Sequence, residues 1–242
     1  MLAVFEAVAT NEPAALAVVA ATAGVPVSTA HRSLGVLADA GWIRATGPGR
    51  PRWVVSERVR ALVAGPGTHL AALARPVLAD LALATGETAV LWLADGDAVV
   101  AAAVAAPAAA LRVVVDEGHR VPAHACAPGK SVLADRTDTE VRLGCARGMP
   151  PLTMRTIGDP EQLLVELRRI RTTGIAVARA EEADGVTSVA AALHGHPAAI
   201  GVVGPADRVE ARLDELADLV RGAGRQLASV AESVRSTVIG SR

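Results

Sequence analysis

The 242-residue chain has no tyrosine, one phenylalanine, two cysteines and a single lysine, Lys130. Two cysteines, Cys126 and Cys145, are too few for a disulfide scaffold or a four-cysteine zinc site. The missing lysines are replaced by 23 arginines, and 52 residues are alanine, a skew that reads as coding bias and not as function. Setting alanine aside lowers the apolar share from 51% to about 30%, which still supports a core and argues against long disorder. Long hydrophobic runs are also lacking. The longest, Ala98–Leu111, is too short for a bilayer and is broken by Pro107. The apolar start has no basic segment and carries Glu6, Glu12 and Pro13, unlike a signal peptide. The expectation is a soluble cytoplasmic protein without a membrane partner.

The net charge of −1 names no partner, but its distribution does. Residues 24–63 hold six arginines against Asp39 and Glu57, a local excess of +4, whereas residues 64–242 are mildly acidic at −3. A small basic head on a larger body suggests a polyanion-binding module joined to a second domain. The expected division is 1–63 for the head, 64–85 for a linker helix and 86–242 for the body, with the break near Ala64-Gly65-Pro66-Gly67.

In the head, Leu2, Phe5 and Val8 form one helical stripe. Ala14–Ala23 reads as a second helix with Leu16 and Val19 inward, and Pro26 opens a third that runs to Ala40 over Ala30, Leu34 and Leu37. Trp42–Thr46 and Arg52–Ser56 then make a hairpin. Two helices around a tight turn, followed by a basic hairpin, make a winged helix-turn-helix, whose second helix enters the major groove of DNA. The residues expected to meet DNA are Ser28, Thr29, His31 and Arg32 on that helix and Arg44, Arg50 and Arg52 in the wing.

The body opens with a helix over His69–Thr85, expected to bend at Pro76, followed by strands Thr88–Ala94 and Ala98–Val104 around Asp95-Gly96. Leu111–Val115 reads as another strand. Asp159-Pro160-Glu161-Gln162 starts a helix that ends at Gly174. Ile175–Arg179, Val186–Leu193 and Ala198–Val203 are strands, and Asp207 opens a long C-terminal helix with a break expected at Gly222 or Gly224. Strands mixed with helices but lacking βαβ alternation predict an α+β sensor-like domain.

Several segments resemble the IclR family of bacterial transcription regulators. ATAGVPVSTAHRSLGVLADAGWI (21–43) is similar to the family's DNA-binding helices. GHRVPAHACAPGKSVLA (118–134) resembles its G-x-x-x-P-x-H-x-x-x-x-G-K-x-x-L-A element. Residues 152–193 resemble its T-x-x-T-I, L-x-x-I-R-x-x-G and E-x-x-x-G-x-x-x-x-A elements. The resemblance implies an N-terminal winged helix-turn-helix and a C-terminal GAF-like effector-binding domain. It also implies a homodimer or homotetramer on a palindromic operator in double-stranded DNA, acting more often as a repressor than as an activator. By position it assigns Pro128, Gly129, Ala178, Ser188, Gly201 and Val203 to the effector pocket. Family pockets for small acids often carry polar groups at the positions of 178, 201 and 203. Alanine, glycine and valine there imply an effector with substantial apolar surface, its polar end near Ser188 and Gly129.

Other constellations read as decoys. Ala127-Pro128-Gly129-Lys130-Ser131 hints at a phosphate-binding loop, but position 124 is His where that motif needs Gly. His124 and Cys126 suggest a thiol nucleophile for a small-molecule hydrolase, the main rival function, without any motif for an oxyanion hole. A body that only oligomerises is a further alternative. His194 and His196 lack a third ligand, and Glu181, Glu182 and Asp138-Thr139-Glu140 are expected to remain solvated. No catalytic residue, metal or cofactor is assigned.

Overall fold

In the computed structural model, residues 1–47, 51–56, 59 and 66–239 are described. The chain divides into two compact units, Met1–Thr68 and His69–Arg242.

The first unit contains α1 (Leu2–Thr10), β1 (Ala14–Ala15), α2 (Leu16–Thr22), α3 (Val27–Asp39), β2 (Ile43–Thr46) and β3 (Arg52–Val55). Its sheet has the order β1-β3-β2. The core differs from the predicted stripe. Val4, Ala7 and Val8 are buried, Leu2 is 69% exposed, and Phe5 lies half-buried with its ring edge-on to Trp42 at 5.6 Å. The predicted second helix also starts later. Ala14 and Ala15 pair with Trp53 and Arg52, because Pro13 cannot continue a helical ladder and the outer edge of β3 is open to a partner. Glu12 reinforces that junction by accepting from the Val55 amide at 2.6 Å.

Helix α4 (Pro66–Thr85), which contains Pro76, opens in the last residues of the first unit and forms the start of the second. Next come β4 (Thr88–Asp95), β5 (Ala98–Ala105), β6 (Arg120–Pro122) and a 3₁₀ turn, Ala123–Ala125. Three helices follow, α5 (Ala127–Ala134), α6 (Asp138–Cys145) and α7 (Pro160–Thr173), then β7 (Ala176–Arg179), β8 (Val186–Ala192) and β9 (Ala198–Pro205). The chain closes with α8 (Ala206–Glu210) and α9 (Leu213–Ile239). The six strands form one antiparallel sheet in the order β6-β5-β4-β9-β8-β7.

Period-two alternation sends the strand side chains to two separate layers. Leu91, Val189, Ile200 and Val202 pack on α4 and α9 through Leu78, Leu81, Leu216, Val220 and Leu227. On the opposite face, Ala176, Ala178 and Ala190 meet Leu163, Leu164, Leu167 and Ile170 of α7. Each of those four α7 side chains contributes about 2 kcal/mol by leaving water.

Three expectations for this unit are corrected. Leu111–Val115 is not a strand. β6 occupies the outer edge of β5, and two carbonyls of the run go to side chains instead, Val113 to the Thr88 hydroxyl at 2.5 Å and Leu111 to Arg208 at 3.2 Å. The C-terminal helix breaks between α8 and α9, not at a glycine. Gly222 and Gly224 lie within α9, where Gly224 faces the Ile200 side chain. Glu181 is not solvated but 8% exposed and paired with the chain's only lysine.

That pair anchors α5, every residue of which is buried. Lys130 Nζ donates to Glu181 Oε1 at 2.7 Å and to the Val177 carbonyl at 3.0 Å, joining α5 to β7 and to the turn before β8. Glu181 Oε2 has no hydrogen-bond partner among the described residues. Removing one member of such a pair leaves an uncompensated buried charge, whereas removing both does not. Lys130→Met is therefore expected to lower unfolding stability by about 3–5 kcal/mol in urea titrations. Lys130→Met combined with Glu181→Leu should recover most of that loss; a double variant as unstable as the single one contradicts the account.

Candidate functional site

In the first unit, the helical period separates two faces of α3. Ala30 and Leu34 are fully buried and Leu37 is 6% exposed. Ser28, Thr29, His31 and Arg32 are all exposed on the first turns of the helix. Val36 continues that surface at 46% exposure. Arg44 is exposed on β2. Arg52 is exposed on β3, with one guanidinium nitrogen donating to the Pro13 carbonyl at 3.2 Å, so it also holds the wing to the segment before α2. Arg50 lies outside the described residues.

In the second unit, a cavity of about 460 Å³ opens on the sheet face opposite α4 and α9. Val90, Trp92, Val203 and the backbone of Gly201 form its sheet wall, and Pro128 at the start of α5 closes one side. The irregular run Val113–Val115 and Leu152 form another. Four of the six residues assigned to the pocket by resemblance, Pro128, Ser188, Gly201 and Val203, line this cavity.

Gly129 and Ala178 are not among its lining residues. Gly129 is set by close approach. A Cβ there would run into the Ala123 backbone, so its role is to seat α5 on the 3₁₀ turn. Ala178 is 2% exposed within the layer beneath α5 and α7. Gly201 is constrained similarly, because a Cβ would meet the Val189 carbonyl on the neighbouring strand.

The cavity's polar groups sit at one end and around the rim. Ser188 Oγ accepts from the Ala127 amide at 3.4 Å, which leaves the serine proton to donate. His119, Arg120 and Glu182 also line the cavity, and position-by-position resemblance named none of them. His119 Nε2 lies 3.3 Å from Glu182 Oε1, and Arg120 is held on Asp95 at 3.1 Å. Burial raises the Glu182 carboxyl above its ordinary range, opposed by the His119 hydrogen bond. Ala180, at φ +53°, turns the chain so that Glu181 points to Lys130 and Glu182 to the cavity. Thr153 Oγ1 donates to the Ala180 carbonyl at 2.7 Å and Thr156 Oγ1 to the Glu181 carbonyl at 2.6 Å, bracing that turn. The adjacent acidic residues 181–182 and the paired threonines carried this signal, but their inward direction was not readable from spacing.

Cys126 and His124 do not form a nucleophile–base pair. The Cys126 thiol is fully buried, its pKa is strongly raised by that burial, and its sulfur faces the Pro122 carbonyl at 3.7 Å. His124 Nε2 instead meets the Pro150 carbonyl at 3.1 Å. Among the described residues, no cluster of three or more His, Cys, Asp or Glu side chains could hold a metal. No helix there is long and apolar enough to cross a membrane.

A helix-turn-helix unit followed by a cavity-bearing α+β unit is the architecture of a ligand-responsive DNA-binding regulator. Comparison with known proteins specifies which kind. The IclR helix-turn-helix domain matches residues 1–47, and the bacterial transcriptional regulator IclR C-terminal domain matches residues 65–229. The chain is 32% identical over 200 residues to the HTH-type transcriptional regulator Rv1719 of Mycobacterium tuberculosis, covering 80% of this chain and 76% of that protein. It is 30% identical over 230 residues to the transcriptional repressor IclR of Escherichia coli, covering 90% and 82%. Among solved structures, a transcriptional regulator from Rhodococcus sp. RHA1 superposes with a TM-score of 0.71 at 26% identity, covering 96% of both chains. The IclR structure from Thermotoga maritima shares the fold with a TM-score of 0.65 at 24% identity, covering 93% of this chain and 96% of that one. The protein belongs to the IclR family of transcription regulators, with an N-terminal DNA-binding domain and a C-terminal effector-binding domain.

The half-buried Glu182 carboxylate gives a pH signature. Its folded pKa lies above the ordinary glutamate value, so the folded state holds the proton more tightly, and stability falls as pH rises through that interval. Glu182→Gln removes this slope. Thermal melts from pH 4 to 8 should show the variant gaining on the wild type as pH rises; parallel curves would show that Glu182 is not desolvated.

Proposed function

We propose that this protein is a homo-oligomeric, cytoplasmic repressor without enzymatic activity that binds a palindromic operator and is controlled by an apolar effector. The observation that carries the DNA half is the polar face of α3. Ser28, Thr29, His31 and Arg32 project from the N-terminal turns while Ala30, Leu34 and Leu37 hold the opposite face in the core. In this motif those turns approach base edges, and Arg32 can bind guanine with two hydrogen bonds. Arg44, Arg50 and Arg52 then serve the phosphates from the wing. A single winged helix buries little DNA surface, so two copies reading half-sites a helical turn apart supply the specificity. The names of two relatives, the transcriptional repressor IclR and the acetate operon repressor of Salmonella typhimurium, support repression.

The cavity lining supports the effector class. Val90, Trp92, Val113–Val115 and Val203 supply apolar surface, and Ser188 supplies one inward donor. Each buried methylene contributes about 0.8 kcal/mol, so ligand size provides affinity that one hydroxyl cannot. A short dicarboxylate would lose water around two charges while offering little apolar surface to offset that cost. The inaccessible, protonated Cys126 thiol and its separation from a base weigh against the hydrolase alternative.

Two measurements test these halves separately. With DNA flanking its own gene as the probe, Arg32→Ala should lose about 1–3 kcal/mol at the footprinted site and little on random DNA. Equal losses on both would make Arg32 a phosphate contact. In thermal-shift titrations, aromatic and medium-chain acids should stabilise the protein saturably, and Ser188→Ala should weaken them by about 0.5–1.5 kcal/mol. Stabilisation by glyoxylate or succinate alone would overturn the effector class.

A further inference from the structure

A second cavity, of about 230 Å³, lies between the β4–β5 turn and helices α5, α6 and α7. Its floor is apolar, built from Leu133, Val141, Met149 and Leu163. Its rim is cationic, with Arg120, Arg136 and Arg147 against the single carboxylate of Asp97. Asp97 occupies only Nε of Arg147, at 3.2 Å, and Arg136 gives one Nη to the Gly96 carbonyl at 3.1 Å, so both guanidiniums retain further donors.

His124 supplies the second observation. Its side chain is buried, with the residue 6% exposed, and it lines this cavity. The Pro150 carbonyl can only accept, so the nitrogen facing it, Nε2, carries the hydrogen. Burial lowers the pKa of the ring and so favours its neutral form, in which Nδ1 is an acceptor. Among the described residues no donor reaches that nitrogen. An acceptor without a protein donor, beside an apolar floor and under a cationic rim, calls for a complementary molecule.

We propose that this cavity binds a small hydroxy acid with a short alkyl tail, at a site distinct from the effector cavity. The carboxylate meets Arg136 and Arg147, the hydroxyl donates to His124 Nδ1, and the tail lies on Leu133, Val141 and Leu163. An amino acid would bring a donor too, but it would also bring a cation beneath three guanidiniums. Arg120 and Pro122 line both cavities, so the two ligands share a wall.

The test uses the full chain, with 2-hydroxybutyrate and butyrate as probes in calorimetric titrations. Wild-type protein is expected to bind 2-hydroxybutyrate roughly two- to tenfold more tightly than butyrate, the effect of one hydrogen bond. His124→Phe keeps an aromatic ring of similar size but has no acceptor, and should equalise the two probes, while its thermal melt reports separately the loss of the Pro150 contact. Arg147→Ala, at an exposed side chain that cannot unsettle the core, should weaken both about tenfold. Imidazole ¹⁵N spectra provide an internal reporter, because His119 lines the first cavity and His124 the second. The His124 resonance should move with 2-hydroxybutyrate while that of His119 does not. Equal affinity for the two probes, movement of His119 alone, or no binding of 2-hydroxybutyrate at millimolar concentration would each overturn the proposal.

Discussion

The geometry of the second unit depends on one buried ion pair. Lys130 lies near the middle of a helix with no exposed residue, and its ammonium reaches across to Glu181 and the Val177 carbonyl. An ion so far from water is tolerated only when charge and hydrogen bonds replace hydration, and here a carboxylate and a carbonyl do so. The pair fixes α5 against the turn between β7 and β8. Pro128 thereby reaches one wall of the large cavity and Glu182 another. The left-handed Ala180 and the two threonine hydroxyls that hold the following carbonyls serve the same turn. A residue at positive φ other than glycine costs about 1–3 kcal/mol and persists only where its surroundings determine it.

Small side chains make the cavities possible. Alanine-rich β5 packs closely against its neighbouring strands, and β9 packs against α9, where Gly224 faces the Ile200 side chain. On the cavity face, however, Gly201 contributes only backbone, and no side chain there fills the space between Trp92 and Pro128. The alanine-rich composition thus has a structural consequence: close packing on the α4 and α9 side of the sheet, and on the other side a packed layer under α7 beside an open cavity.

Much of the fold was legible in the sequence because local chemistry determined it. The Asp159 cap with Pro160 at the first helical position, the Asp95-Gly96 turn and the apolar period of α3 concern neighbouring residues, and each appears where expected. Misreadings arose where partners lie far along the chain. Ala14–Ala15 became a strand because β3 offered an edge. Leu111–Val115 failed to become one because β6 already held the edge of β5. The site divides in the same way. Pro128, Ser188, Gly201 and Val203 follow from resemblance, carried over by position. His119 and Glu182 meet only through a turn set by Lys130, 51 residues before Glu181. No periodicity encodes such a contact.

The run that failed to form a strand has a further consequence. Val113–Val115 wall the large cavity, and the same segment continues to Glu117, which holds Arg75 of α4 through contacts of 2.9 and 3.1 Å. In sequence, α4 follows the DNA-binding unit. A strand in that place would bind its neighbours by a ladder of backbone bonds. This segment is held by separate side-chain contacts, from Thr88, Arg208 and Arg75. Contacts made one by one are broken one by one, so such a segment opens at lower cost than the sheet beside it. A ligand alters DNA affinity only if it contacts something that differs between the two states. Within the described residues, Val113–Val115 belong to the segment that both touches the cavity and bonds to α4.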